Sequence, residues 1–290
     1  MNYRPETQYK IVSKHMIHFI NNLKKELNPY YFSENIALFN NDCLEVLALI
    51  PENSIDMIFA DPPYMLSNNG FTCQNGRMVN VNKGKWDKSK GFENDSHFHD
   101  TWIKACRRVL KPGGTIWISG TYHSIYQCGY MLLKNDFHLL NDIAWFKPNA
   151  SPNLSCRFFT ASHETLIWAR KDKKAKHTFN YDCMKNGLFP EDKLKKEGTQ
   201  MRSVWSIPTP GSSEKEFGKH PTQKPLDLLQ RIIKASTNDG DIILDPFNGS
   251  GTTAIASCLT GNRFYIGAEI DVSYCDLTLR RLGKDINKNA

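Results

Sequence analysis

The stretch Ile242-Ile-Leu-Asp-Pro-Phe-Asn-Gly-Ser-Gly-Thr-Thr253 decides the fold. Three apolar residues closed by an aspartate predict a short buried strand. Gly249 and Gly251 let the chain turn tightly, and a helix is expected over Thr252–Leu259. A turn with so little side-chain bulk lets a ligand approach the main chain and the helix N-terminus. A further strand is expected at Arg263–Gly267, and Glu269 follows at its end, 24 residues after Asp245. An acid in that place can accept hydrogen bonds from two ribose hydroxyls. The pattern asks for a nucleoside-containing cofactor without naming it. Ala254 breaks the G-x-G-x-x-G fingerprint of dinucleotide-binding oxidoreductases, and no G-x-x-x-x-G-K-[ST] is present, which excludes a P-loop.

Outward from that turn, strands and helices alternate. Strands are expected at 36–39, 55–60, 115–119, 139–146, 164–169 and 241–244, and helices at 42–50, 98–110, 124–135 and 226–236. Several strands are short and wholly apolar, which suits a mostly parallel sheet covered on both faces. Residues 1–34 read as a surface extension with a weak helical pattern. Residues 65–95 are rich in Asn, Gly and Lys and read as a long mobile loop fitted to close over a substrate.

The strand Ile55–Ala60 runs directly into Asp61-Pro-Pro-Tyr64. In open parallel sheets ligands gather at the carboxyl ends of strands. Two prolines fix the backbone there and present carbonyls as rigid acceptors. A carboxylate, a rigid carbonyl and an aromatic ring suit an amino group on a flat ring, with two N–H donors to satisfy and one face to cover.

Composition limits the classes further. The 290 residues carry a net charge of +7, and residues 171–202 hold nine lysines or arginines against five acids. Such a surplus suits a polyanionic partner. With Phe179, Tyr181 and Trp205 interleaved, stretch 171–218 is the candidate surface for such a partner. No apolar run is long enough to cross a membrane, and Met1–Lys10 lacks the apolar core of a signal peptide, so a cytoplasmic protein is expected. Eight cysteines with no C-x-x-C pair read as free thiols, and no metal is expected.

The Asp61-Pro-Pro-Tyr64 and Asp245–Thr253 segments together resemble the amino-methyltransferases of DNA. The order of the two, with Lys219-His-Pro-Thr-Gln-Lys-Pro225 between them, resembles the permuted β class. Asn82-Lys-Gly-Lys-Trp-Asp87, Trp117-Ile-Ser-Gly120 and Ser151-Pro-Asn-Leu-Ser-Cys-Arg-Phe-Phe159 are similar to the second adenine methylases of GATC restriction systems, the DpnA type. The resemblance covers about residues 36–282. It implies a Rossmann-like α/β fold with an inserted target-recognition region and S-adenosyl-L-methionine as cofactor. The implied partner is DNA, double- or single-stranded, and a second copy of the chain is retained as a candidate partner. The implied reaction is methyl transfer to adenine N6 at GATC, within a restriction-modification system.

The same resemblance implies roles for residues. Asp61, Pro62, Pro63 and Tyr64 are the catalytic set, with Tyr64 stacking on the base. Phe247, Gly249, Ser250 and Gly251, flanked by Asp245 and Thr252, would hold the methionine part, Glu269 the ribose and Lys224 the carboxylate. Asp42 would meet the adenine edge or act as the N-cap of its helix. Lys173, Lys174, Lys176 and Tyr181 would hold DNA. The implied organisation is an extension (1–34), a catalytic half (35–170), a recognition insertion (171–218) and a cofactor half (219–290). Cytosine N4 is the nearest rival target, although Ser usually replaces Asp61 there. A non-catalytic DNA-binding module would have no use for both strand-end motifs.

Overall fold

A computed structural model describes residues 19, 23–65, 67, 71–74, 77–80, 87–186, 189, 192, 196 and 198–287. Nine of its strands form one sheet: β1 (Tyr31–Phe32), β2 (Ile36–Phe39), β3 (Ile55–Ala60), β6 (Leu110–Gly120), β7 (His138–Phe146), β8 (His163–Arg170), β9 (Val204–Ser206), β10 (Ile242–Asp245) and β11 (Phe264–Ala268). Their spatial order is β1-β2-β11-β10-β3-β6-β8-β7-β9. The five strands from β2 to β6 in that order pair in parallel, as do β7 and β9. Antiparallel pairing is confined to β1–β2, β6–β8 and β7–β8. The Rossmann-like expectation is met.

Alternation along each strand sends side chains to two separate cores. Ile58, Ala60, Leu244 and Ile266 face α1 (Cys43–Leu49), α2 (Phe92–Val109) and α3 (Ile125–Lys134). Met57, Phe59, Ile243 and Tyr265 face α5 (Leu226–Ser236) and α6 (Thr252–Leu259). On α5 of this second core, Leu228, Leu229, Ile232 and Ile233 fall at helical spacing and are all fully buried. On the second face Trp117 stacks on Trp168 at 4.8 Å between ring centroids, with Trp205 beside it.

Strand direction builds the functional edge. The carboxyl ends of β2, β11, β10, β3 and β6 all emerge on one side of the sheet. Because β8 runs against β6, it is the first residues of β8 that reach this side, together with the ends of β7 and β9.

Several expectations change. Residues 71–74 and 77–80, within the segment read as a loop, form an antiparallel pair, β4 (Phe71–Gln74) and β5 (Arg77–Asn80). Helix α2 begins at Phe92, six residues early, since its first turn is polar. That start is fixed by Asp95, whose carboxylate accepts from the Lys90 N–H and the Ser89 hydroxyl. Lys111–Gly114 lies within β6, where the register against β3 shifts. The extension is partly in the fold: Phe19 and Leu23 are buried in the first core, and β1 pairs with β2. The C-terminal helix, α7 (Val272–Asn287), escaped the sequence reading because polar residues outnumber apolar ones along it. A short helix, α4 (Tyr181–Asn186), follows β8.

The segment after β8 and the core meet at Arg231 on α5. Its guanidinium bonds both Asp192 oxygens at 3.0 and 2.6 Å and lies 4.1 Å from the centroids of Trp205 and Phe189. Asp192→Ala leaves that cation buried without its counter-charge. The variant is expected to lose about 3–5 kcal/mol of stability, read from the shift in urea midpoint at unchanged slope.

Candidate active site

A cavity of about 600 Å³ opens along the functional edge. Residues 245–250 of the turn, Thr252, Asp42, the tetrapeptide residues Asp61 and Pro63, Lys224 and Glu269 line it, although they come from distant parts of the chain, whereas Gly251 does not. The reason is adjacency of β11, β10 and β3 in the sheet.

The glycine turn is rigidly specified. Gly251 has φ +75°, and a Cβ there would lie 2.4 Å from Thr278 on α7, so no other residue fits. Gly249 has φ +52° and packs under the His220 ring, which meets Tyr274 edge-on at 4.3 Å. His220 is thus a wall of the turn. Arg281, also from α7, donates to the Ser250 carbonyl at 2.6 Å and to the Ser250 and Thr252 hydroxyls at 3.0 Å each. The Ser250 and Thr252 hydroxyls line the cavity while already bonded within the protein. Phe247 meets Trp102 edge-on at 5.3 Å.

Three of the acids that border the cavity are held in different ways. Asp42 is the N-cap of α1, accepting from the Leu44 N–H at 2.8 Å. Asp245 accepts from the Phe247 N–H at 3.0 Å and the Thr253 hydroxyl at 2.6 Å, so it shapes the turn. Glu269 accepts from the N–H groups of Gly249 at 2.7 Å and Asp271 at 2.9 Å, which locks its carboxylate onto the turn. Burial pushes the carboxyls of both Asp245 and Glu269 up to about 7.

The tetrapeptide differs from expectation. Tyr64 is 3% exposed, and its ring does not line the cavity. Its hydroxyl donates to Asp61 at 2.5 Å, stands 3.1 Å from Glu164 and accepts from Lys224 at 2.8 Å. Stacking of Tyr64 on a base is therefore not available in this conformation, because the ring is packed inside. Lys224 likewise bonds Asp61 at 2.5 Å and lies 3.7 Å from Glu164, so its ammonium is engaged with the tetrapeptide while the residue lines the cavity. Lys147 pairs with the other Glu164 oxygen at 3.2 Å.

Two carboxylates and two ammonium groups thus balance. Burial raises the Asp61 pKa against the pull of Lys224. For Glu164 burial also pushes upward, but Lys224 and Lys147 outweigh it and the carboxyl falls below its ordinary range. Burial disfavours the Lys224 cation, yet Asp61 and Glu164 hold it above the usual value. Glu164, Lys147 and Arg281 were missed from sequence, since nothing local marks them. Asp87, the last residue of the Asn82–Asp87 segment, accepts from the Tyr64 N–H at 2.9 Å and the Ser67 hydroxyl at 2.9 Å, pinning the tetrapeptide loop. Asn82–Trp86 and Gly70, Gly76 and Gly84 of the expected lid lie outside the described residues.

Lys173, Lys174, Lys176 and Tyr181 are exposed but far from this edge. They follow the end of β8, where Arg170 pairs with Thr115 of β6 and the Lys171 N–H donates to the Gly114 carbonyl. Asn180 is bound to the last residues of α5. An eight-residue strand is about 25 Å long, and that length separates these residues from Glu164. Because β8 is antiparallel to β6, these residues, expected to hold DNA, follow the end of β8 opposite the tetrapeptide.

Comparison with known proteins agrees with the geometry. The DNA methylase family profile, which spans N6 and N4 enzymes, matches residues 55–280. The chain belongs to the DNA methylase family. The Type II methyltransferase M2.MboI of Moraxella bovis is 49% identical over 259 residues, covering 88% of this chain and 91% of that one. M2.DpnII of Streptococcus pneumoniae is 47% identical over 262 residues, covering 90% and 94%. Among solved structures, the M1.HpyAVI–SAM complex superposes with a TM-score of 0.61 at 29% identity, covering 85% of this chain and 98% of that one. The cytosine-N4-specific PvuII DNA methyltransferase, at 19% identity and a TM-score of 0.66, covers 89% and 93% and shares the fold. Like its relatives, this DNA methylase is a methyltransferase enzyme. Among its described residues no His, Cys, Asp or Glu group could hold a metal, and no helix is long and apolar enough to cross a membrane.

The raised carboxyls make stability depend on pH. A carboxyl whose folded pKa exceeds its unfolded value holds its proton more tightly when folded. Its contribution is greatest below the unfolded pKa and declines as pH rises toward the folded one. Ligand-free protein is expected to lose stability between about pH 4.5 and 7. Glu269→Gln should flatten part of that slope, by on the order of 2–3 kcal/mol across the window. Urea midpoints at pH 5 and 7.5 for both proteins measure it.

Proposed function

We propose that the chain transfers a methyl group from S-adenosyl-L-methionine to the exocyclic N6 of adenine in DNA. The observation that carries this reading is that Asp61 and the glycine turn open onto one cavity. A site for the reacting amine and a site for a nucleoside cofactor thus share one space. The cavity suits the cofactor: about 600 Å³ lies within the range of small-molecule sites, Glu269 is a fixed carboxylate for ribose hydroxyls, and the bare turn accepts close approach. Gly249 and Phe247 would border the methionine part, and Asp42 would meet the adenine edge while capping its helix. When bound, S-adenosylmethionine supplies an already activated sulfonium methyl group.

The chain's own residues then act on the amine. N6 shares its lone pair with the ring and is a poor nucleophile. Asp61 and the Pro62 carbonyl accept its two N–H bonds, drawing it toward tetrahedral geometry and meeting the positive charge that develops. The amine displaces one Asp61 partner, and Glu164 retains the Lys224 ammonium meanwhile. Burial makes Asp61 a stronger base for the proton that the methylated amine sheds. Asp at position 61 favours adenine over cytosine. The likeness to M2.MboI and M2.DpnII supports GATC and a place in a restriction-modification system. Because the base cannot be reached in a stacked duplex, it must be flipped or single-stranded. Of the recognition insertion 171–218, the returning part 199–218 is proposed to face DNA, since Thr209 and Glu214 bond to the catalytic edge.

Two measurements test this reading. Asp61→Ala should abolish methyl transfer to DNA while cofactor affinity, by calorimetry, stays within a few-fold. A loss of ~100-fold in affinity, about 2.7 kcal/mol, would refute the division of the cavity. Replacing Lys173, Lys174 and Lys176 by neutral residues should leave the slope of log DNA affinity against log salt unchanged. A drop approaching ~2.7 units would restore the far edge as a phosphate-binding surface.

A further inference from the structure

Residues 147–162 connect β7 to β8 and leave the sheet at the catalytic edge. Phe146 pairs with His163, and the Lys147 N–H donates to the Ser162 carbonyl at 2.7 Å, which closes the base of the loop. Immediately inside that base, Glu164 touches the Tyr64 hydroxyl. The loop therefore rises beside the tetrapeptide, and the mechanism above gives it no task.

Its internal bracing is unusual for an exposed connection. Asn153 donates to the Phe158 carbonyl at 2.7 Å and accepts from the Ser155 N–H at 3.0 Å and the Ser155 hydroxyl at 2.8 Å. Asn149 accepts from the Thr209 N–H at 2.9 Å, tying the loop to the insertion. This frame presents Arg157 with two rings, Phe158 at 66% and Phe159 at 98% exposure. Adjacent phenylalanines held in water forgo the burial that such side chains normally gain, so the frame favours an occupant with flat apolar faces. No aspartate or glutamate occurs between Lys147 and His163, so nothing in the loop repels a phosphate.

We propose that Phe158 and Phe159 form a nucleobase-stacking wedge, with Arg157 on a neighbouring phosphate, that occupies the duplex stack when the target base leaves it. The proposal rests on the DNA methyl-transfer reading above. An extruded base leaves unstacked neighbours, and an aromatic face covers them without regard to sequence.

The experiment compares the full chain with its Phe158→Ala/Phe159→Ala variant on three substrates of one sequence. These are a paired duplex, a duplex with an abasic site opposite the target base, and a single strand. On the paired duplex kcat/KM should fall by about 10- to 100-fold. On the single strand it should change by less than about threefold, and cofactor affinity should hold. Phe159→Trp should retain duplex activity. Duplex activity kept within about threefold would overturn the wedge, as would an equal loss on all three substrates or a parent chain active on single strands alone. Unchanged duplex kinetics with a shift in sedimentation mass would assign the rings to a second copy of the chain and also overturn it. A parent chain that methylates none of the substrates would instead overturn the functional reading itself.

Discussion

Lys224 is 5% exposed, so its ammonium must find its counter-charge inside the protein. It does so between Asp61 at 2.5 Å and Glu164 at 3.7 Å. An isolated buried charge of this kind would be driven to neutrality or out to water. Meeting that demand ties three segments together: the end of β3, the start of β8 and the chain entering α5. The Tyr64 hydroxyl and Lys147 complete the balance. In such company an active-site carboxylate has a cation beside it that opposes the upward push of burial, and it keeps a fixed direction before substrate arrives. The arrangement also explains why Tyr64 lies inside, since its hydroxyl is a member of the cluster and not a spectator.

The parts of this site that could be read from sequence were those whose chemistry is local. Asp61-Pro-Pro-Tyr64 and Asp245–Thr253 each contain a strand end, a turn and their polar groups within a few residues. The glycines announce the turn because a backbone at positive φ needs them, and Thr278 shows how little room was left. Glu269 was legible for the same reason, as the first acid beyond an apolar strand. Asp42 was readable as a cap because a helix N-terminus asks for an acceptor there.

What could not be read depends on strand direction and on residues brought from afar. Glu164 looks like any polar residue at the start of a strand, and Arg281 like any arginine on an amphipathic helix. Their roles exist only once β8 is set beside β6 and α7 beneath the turn. Asp87 reads as part of a polar loop until its carboxylate is seen on the Tyr64 N–H. The Tyr64 ring was assigned to the base from its type alone, whereas its burial follows from partners that are 100 and 160 residues distant.

The same consideration bears on where the proposed DNA-facing surface lies. A lysine-rich segment is a local signal for a polyanion, and composition cannot say which end of the sheet it decorates. In an all-parallel sheet the segment after β8 would have emerged at the catalytic edge, beside Asp61. The reversal of β8 instead sends Lys173, Lys174 and Lys176 to the opposite edge and brings the β7–β8 connection forward. That connection has little net charge and would not be chosen on composition. It does carry what an unstacked base needs, namely exposed flat rings on a braced backbone, with an arginine adjacent. Where a lone strand reverses at the border of a parallel sheet, the loop before it and the loop after it exchange edges. Any contact with a ligand held at the carboxyl ends then passes from the second loop to the first.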